Sequence, residues 1–391
     1  MKNESKIKDS SKLGHCLKLG LDSVFLNHYE KYVINKIINC RTIKSGRHQY
    51  KCDDCLYETL LYNSCGNRHC NQCQTFLKNK WLLKKQEDML PVEYFHMVFT
   101  IPSELHPLIE SNKKLLYSLL FQASSETRLE LTKDEKYLGA KIGVISTLHT
   151  WGQQLNYHPH IHCIIPSGGL SLDNTKWVDG KEGFFLPIKV MSKVFKAKFI
   201  EKLIHYYTNG RLCFFGRAKD TRKKSKFNKL TYKLRQQDWV VYSKSCESNP
   251  QYALYYLGNY THRVAISNRR ILSVNQSEIT ISYKDYKDEK TKTKSFTPQS
   301  FLKHFVKHIL PKGFVKTRCY GYLSSVNRKK FMLIIKKLLN VKVVKPLNLD
   351  KEELFQTLYN VDITCCPKCK SKNYNFARVI RCRSPPRNKI D

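Results

Sequence analysis

The stretch Tyr157-His-Pro-His-Ile-His-Cys-Ile-Ile165 constrains this chain more than any other. It is a run of β-formers in which two histidines flank one bulky apolar residue. Side chains alternate faces along a strand, so His160 and His162 share one face while Ile161 points into whatever packs behind the sheet. Two imidazoles on one side of a sheet can hold a divalent metal and leave room for a third ligand and a substrate. The plainer alternative is a pair of ordinary histidines on a half-buried strand. Lys141 to Thr150 reads as a preceding strand, and Trp151-Gly-Gln-Gln-Leu-Asn156 is short enough to join the two as a hairpin. That link brings Gln153 and Gln154 toward the histidines. Gln153 is the expected third ligand, with Gln154, His149 and His158 as rivals.

Fifteen cysteines in 391 residues raise a second question about metal. Cys52-Asp-Asp-Cys55 and Cys70-Asn-Gln-Cys73 are two C-x-x-C knuckles separated by fourteen residues, with Cys65 and His69 close by. The spacing predicts one structural zinc held by Cys52, Cys55, Cys70 and Cys73, with Cys65 or His69 as alternative members. Such a closed site would hold a small basic module, with Arg68, Lys78, Lys80, Lys84 and Lys85, that can lie on DNA. Cys366-Pro-Lys-Cys369 is a further knuckle without a clear second half. Zn²⁺ near Cys366 and Cys369, with Cys365 or Cys382 as partners, is an open expectation. The polar start, Met1 to Ser11, has no apolar signal segment, so these thiols are expected in a reducing, cytoplasmic, nucleoid-associated setting.

Sixty-nine Lys and Arg stand against 32 acidic residues, a formal net charge of +37 spread along the chain. That field calls for a polyanion, and nucleic acid is the first candidate. No stretch approaches 18 uninterrupted apolar residues, so neither a membrane span nor a membrane partner is expected, and nothing points to a small-molecule substrate. The densest basic run lies between Arg217 and Arg235, where Phe227 and Tyr232 interrupt the charges. Arg222, Lys223, Lys224 and Lys226 are the candidate DNA contacts there, against the alternative of a merely solvated face.

At 41% hydrophobic and 12% aromatic residues the chain can build a sizeable core. Its helices, strands and one hairpin read as an α+β protein, preceded by a small zinc-ribbon-like domain. The expected organisation is a disordered 1–20, a zinc-binding domain 21–90, a catalytic domain 91–345 and a basic cysteine-containing tail 346–391. Leu21 to Ile38 reads as a helix capped by Asp22 or Ser23, and Tyr94 to Pro102 as the first strand of the larger domain. On a helix, Tyr256 and Tyr260 lie one turn apart on one face, with Tyr252 extending the stripe and Arg263 a turn beyond. A core-packing stripe is the structural alternative. Gly258 and Asn259 sit in the middle of it as poor helix formers. A tyrosine hydroxyl beside a metal can attack a DNA phosphodiester and store the broken bond as a phosphotyrosine.

The chain resembles the rolling-circle, two-tyrosine insertion-sequence transposases of the HUH-endonuclease superfamily. The resemblance is carried by Ser64-Cys-Gly-Asn-Arg-His-Cys-Asn-Gln-Cys73, Phe99-Thr-Ile-Pro102, Leu148-His-Thr-Trp-Gly-Gln153, His158-Pro-His-Ile-His-Cys163, Gly168-Gly-Leu170, Tyr256-Leu-Gly-Asn-Tyr-Thr-His-Arg-Val-Ala-Ile-Ser-Asn268 and Leu310-Pro-Lys-Gly-Phe314. It spans roughly residues 23 to 369. It implies a central antiparallel sheet with flanking helices in the larger domain, Mg²⁺ or Mn²⁺ at His160 and His162, a third polar ligand upstream that fits Gln153, and Tyr256 and Tyr260 as nucleophiles. It also implies single-stranded DNA from element ends as substrate. Asn259 departs from the basic residue expected in the tyrosine motif, which puts one phosphate contact in doubt. A replication initiator or relaxase with the same nicking chemistry is the nearest alternative. A non-catalytic zinc-ribbon DNA-binding protein is the alternative of another class.

Overall fold

A computed structural model describes residues 11–246, 258, 260–285, 288–341 and 349–381. The chain divides into two compact units. One comprises Leu82–Arg263 and Leu310–Pro346, the other Met1–Trp81, Val264–Ile309 and Leu347–Asp391. The fold is α+β with antiparallel sheets, as the sequence pattern implies. The boundaries expected near 90 and 345 are not those of the units, because the segments around 264–309 and 347–391 fold with the cysteine-rich N-terminal region.

The first unit is built on a five-stranded sheet. Its strands are β1 (Tyr94–Thr100), β2 (Gly143–Trp151), β3 (Tyr157–Pro166), β4 (Val241–Cys246) and β5 (Thr317–Gly321), in the spatial order β5-β2-β3-β1-β4. Alternation gives the sheet two unlike faces. Phe95, Met97 and Phe99 of β1, Val144 and Leu148 of β2, and Ile161, Cys163 and Ile165 of β3 enter the main core. There they join Leu116, Leu119 and Leu120 of the helix Lys113–Lys133 and Phe195 and Phe199 of the helix Ile188–Thr208. Each such side chain stabilises the fold by about 1.5–3 kcal/mol when fully buried. The opposite face carries histidines. Helix packing on one face thus fixes which residues are presented on the other, since a slip of one residue would exchange the two sets.

β3 ends at a true turn requirement. Gly168 has φ +95°, and a Cβ there would stand 2.5 Å from the Val178 carbonyl oxygen. Only glycine takes this conformation without strain, which explains the Ser167-Gly-Gly169 sequence leading into the short strand Gly169–Ser171. Gly258, which is a cost to helix formation, also finds a reason: it is buried, and a Cβ would lie 2.6 Å from Leu82 Cδ1.

In the second unit the expected frayed N-terminus is instead the helix Lys12–Leu19, capped by Ser11, with Leu13, Cys16 and Leu17 buried. Asn268 ties it in by accepting from the Leu13 backbone amide at 3.2 Å and from Asn71 Nδ2 at 2.8 Å. The helix expected from Leu21 starts later, at His28–Ile38. Its cap is Asn27, which forms a reciprocal capping box with Glu30, rather than Asp22 or Ser23. The basic cysteine-containing tail contributes the strand Tyr374–Ile380, which pairs antiparallel with Arg47–Cys52 and so completes a sheet with Glu58–Tyr62. Among the described residues, no helix is long and apolar enough to cross a membrane.

Candidate active site and metal centres

Three histidines converge on the open face of the sheet. His160 and His162 lie on β3, and His149 on β2 stands directly opposite His160. Each offers a ring nitrogen, and these nitrogens all lie within 4.8 Å of one another. His160 Nε2 and His162 Nε2 are 3.0 Å apart. Two nitrogens about 2.1 Å from one ion are about 3.0 Å apart at an octahedral right angle and about 3.4 Å apart in a tetrahedron. The pair is therefore close enough for both nitrogens to reach one divalent ion.

The second nitrogen of each ring is used to aim it. His160 Nδ1 donates to the His158 carbonyl at 2.6 Å, which leaves Nε2 as the lone-pair nitrogen. His149 Nε2 donates to the Tyr260 carbonyl at 2.7 Å, which leaves Nδ1. His162 Nδ1 meets His96 Nε2 of β1 at 2.8 Å. Burial pushes the imidazoles toward the neutral, ligating form: His160 is lowered to about 3, His96 to about 4, and His149 and His162 well below the ordinary histidine value.

His149, a rival of Gln153 for the third position, brings a third ring nitrogen to the group. Gln153 lies past a bulge that shifts the register between His149 and Trp151, in the turn closed by Gly152 N–H to Asn156 O at 3.0 Å. His149 instead occupies a paired position on the strand itself. His96, also on this face, had no signal in the sequence beyond its place in an alternating strand.

Tyr260 lies over this cluster. Its ring centroid is 4.1 Å from that of His162 and 4.7 Å from that of His96, stacked at 19° on the latter. Tyr256, Asn259 and Tyr252 lie outside the described residues. Arg263 is exposed, and its carbonyl accepts from Lys316 Nζ at 2.8 Å. Lys316 also lies 5.2 Å over the Trp151 ring, and its backbone carbonyl accepts from Leu148 N–H next to His149. After desolvation, the charge of Lys316 is the next largest influence lowering the His149 value. Two cations thus border the histidine face.

The run Arg222, Lys223, Lys224 and Lys226 is exposed at the start of the helix Lys224–Gln236. Its expected aromatic partner Phe227 is not available for bases: it is 1% exposed and stacks on Tyr207 at 3.8 Å. Tyr232 is exposed.

Among the described residues, eight cysteines form two groups of four rather than one. Cys70 and Cys73 join Cys40 and Cys65; Cys52 and Cys55 join Cys366 and Cys369. The expected set Cys52, Cys55, Cys70, Cys73 is therefore split. Pairing of Arg47–Cys52 with the C-terminal strand carries the second knuckle to the first, while the end of the helix His28–Ile38 carries Cys40 to the loop before Asn71. His69 belongs to neither group, Cys365 donates to Asp362 at 3.1 Å, and Cys382 lies outside the described residues. The sulfur separations are 3.6 Å for Cys40–Cys73, 3.6 Å for Cys65–Cys73, 3.6 Å for Cys52–Cys369 and 3.7 Å for Cys55–Cys366. Four sulfurs about 2.3 Å from one tetrahedral ion are about 3.8 Å apart, so both groups fit Zn²⁺.

Comparison with known proteins agrees with both halves. A family described as "Putative transposase" matches residues 143–330, which include the histidine strands, and one described as "Transposase zinc-binding domain", of the IS91 type, matches residues 19–101. The putative transposase y4qJ of Sinorhizobium fredii (strain NBRC 101917 / NGR234) is 36% identical over 349 residues, 88% of this chain and 88% of its own length. The transposase for insertion sequence element IS801 of Pseudomonas savastanoi pv. phaseolicola is 24% identical over 306 residues, 77% of this chain and 72% of its own. No solved structure matches the chain. The histidine sheet and the cysteine clusters are thus those of a DNA-processing enzyme with a zinc-binding domain. The chain belongs to the IS91-type family of rolling-circle insertion-sequence transposases.

Proposed function

We propose that this transposase nicks single-stranded DNA at the ends of its element and rejoins strands by tyrosine transesterification. The observation that carries the reading is the placement of Tyr260 over His162, within the same cluster as His149 and His160. In the forward step the Tyr260 oxygen bonds to phosphorus, the bond from phosphorus to the 3′ oxygen breaks, the tyrosyl proton is lost and the 3′ oxygen gains one. The products are a 5′-phosphotyrosine and a free 3′ hydroxyl. The phosphotyrosine keeps the energy of the broken bond, so attack by another 3′ hydroxyl joins strands without a nucleotide cofactor.

His149, His160 and His162 would hold Mg²⁺ or Mn²⁺, which when bound supplies Lewis-acid stabilisation of charge on the phosphate. Arg263 and Lys316 bring positive charge to the same phosphate. Tyr256 is assigned the second transesterification by its place in the motif. The two zinc clusters are closed and structural. The exposed Arg222, Lys223, Lys224 and Lys226 are assigned to the DNA backbone, without the Phe227 stacking expected beside them.

The test incubates zinc-loaded protein with labelled single strands from the DNA flanking its own gene, with Mg²⁺, Mn²⁺ or EDTA, and resolves adducts on denaturing gels. A metal-dependent covalent adduct that is absent in the Tyr256→Phe/Tyr260→Phe double variant is expected. Tight binding with no adduct in any metal would overturn the reading in favour of a non-catalytic DNA-binding protein.

A further inference from the structure

The zinc-bearing unit has a concave surface that the nicking chemistry does not use. It is a groove of about 460 Å³ along the helix His28–Ile38. The helix presents Lys31, Tyr32, Asn35, Lys36 and Asn39 to it, at the i, i+1, i+4, i+5, i+8 positions of a single stripe, while Val33, Ile34 and Ile37 turn inward. Lys44 closes the other side. The lining holds no acidic residue. Glu30, the one acid of the helix, is committed to the capping box with Asn27. Among the described residues no ion pair engages Lys31, Lys36 or Lys44, and all three are exposed. Tyr32 is 51% exposed with its ring stacked on Tyr29.

These chemistries belong together for one kind of partner. Lysines without counter-ions suit phosphates, and asparagine amides read base edges bidentately. The walls are also pinned. Cys40, two residues past the helix, and Cys65, which itself lines the groove, belong to the same four-cysteine cluster, and the Cys65 N–H donates to Cys40 Sγ at 3.4 Å. One zinc held by these cysteines would fix the helix against the loop that faces it, as a preorganised recognition surface and not a hinge.

We infer that this groove is a second DNA-binding site, which recognises element-end sequence through Asn35 and Asn39 and grips the backbone through Lys31, Lys36 and Lys44. The inference rests on the DNA-processing assignment but not on the tyrosine chemistry, and the two are separated by using two DNAs. One is a long strand that includes the full element end; the other is a short oligonucleotide that spans only the mapped nick.

The experiment measures affinity of the full, zinc-loaded chain by fluorescence anisotropy at several salt concentrations, and adduct formation on the short oligonucleotide. Asn35→Ala/Asn39→Ala should reduce the preference for element-end over scrambled DNA of equal length by at least about tenfold, while scrambled-DNA binding and adduct formation on the short oligonucleotide persist. Lys31→Ala/Lys36→Ala/Lys44→Ala should weaken both DNAs and lower the salt slope by up to about three. These side chains are surface groups, so zinc content and circular dichroism should match the parent. Unchanged sequence preference and unchanged salt slope in folded variants would overturn the inference. Loss of adduct formation in the parent protein would count against the nicking proposal alone.

Discussion

His96 Nε2 stands 2.8 Å from Nδ1 of His162, with the two rings stacked at 14°. The contact decides which nitrogen of His162 faces the cluster, so His96 is a positioning residue for the proposed metal centre. Loss of such a partner typically costs about 10–100-fold in metal affinity. His96→Ala should weaken Mn²⁺ binding, read by the free-ion electron paramagnetic resonance signal, by that factor. His96→Gln, which keeps a hydrogen-bonding group at this position, should recover part of it. Equal Mn²⁺ affinity in all three proteins would remove His96 from the centre.

The same residue gives a pH dependence with a definite sign. Burial lowers His96 to about 4, whereas an unfolded histidine titrates near about 6.5. Above the unfolded value neither state binds the proton. As pH falls below it the unfolded chain takes up a proton that the folded chain refuses, so stability falls until the folded value is reached. Without added divalent metal, unfolding free energy should decline with acidification from about pH 6.5 to about pH 4, and His96→Gln should remove close to one proton from that slope. Urea titrations at several pH values report it; an unchanged slope in the variant would mean that His96 is solvated.

Much of this site was legible in the sequence. Period-two alternation places His160 and His162 on one face, the short Trp151–Asn156 link makes β2 and β3 neighbours, and the structure has both. Proximity to the turn favours Gln153 in the sequence, whereas cross-strand register sets its rival His149 opposite His160. Register is set by core residues such as Leu148 and Ile161, which face each other on the other side of the sheet, and no local motif states it. The cysteine partition was hidden for a related reason. Cys52-x-x-Cys55 and Cys70-x-x-Cys73 are neighbours in sequence, but strand pairing between Cys52 and Tyr374 brings in a knuckle from the far end of the chain. The helix Lys12–Leu19 was missed because part of what holds it, Asn268 at the Leu13 amide, is equally distant in sequence.

Two four-cysteine groups predict two zinc ions per chain. Mass spectrometry under native conditions, or metal analysis against protein concentration, should give that stoichiometry. Cys366→Ser/Cys369→Ser should lose one ion and keep the other, and should expose the strand Tyr374–Ile380 to proteolysis. Asp54, which accepts from Ser371 and Asn373, holds the same junction and should retain part of the protection when the ion is lost. One zinc in the parent protein would contradict the partition.

The two knuckles of the second group share an unusual backbone feature. The residue after each second cysteine is left-handed: Leu56 at φ +55° and Lys370 at φ +63°. A side chain in this conformation costs roughly 1–2 kcal/mol, and glycine avoids the Cβ clash at some expense in unfolded-chain entropy. Leu56 is 69% exposed, so little packing is lost on its removal. Leu56→Gly should therefore stabilise the knuckle by about 1 kcal/mol net. The measurement is the chelator concentration needed to release half of the zinc, which should rise in the variant. A fall would show that the left-handed turn carries no strain.

Among the described residues Arg128 is the largest fully buried side chain, and its guanidinium lies among Cys163, Ser146 and the Phe99 ring. Nη2 donates to Ser146 Oγ at 3.2 Å and the guanidinium sits 4.8 Å from the Phe99 centroid. Among the described residues it has no carboxylate partner. A buried cation held by neutral groups is a costly way to fill a core, and an apolar residue of similar length can replace it at little loss or with a gain. Truncation is different, because it leaves a cavity behind β3. Arg128→Met should match or exceed the parent in thermal midpoint, whereas Arg128→Ala should lose about 3 kcal/mol or more. Because Cys163 follows His162 on β3, the same pair of variants also asks whether the guanidinium supports the histidine face. If Arg128→Met is stable but binds Mn²⁺ more weakly than the parent, the charge is retained for the site, and if Mn²⁺ binding is equal, its role is confined to the core.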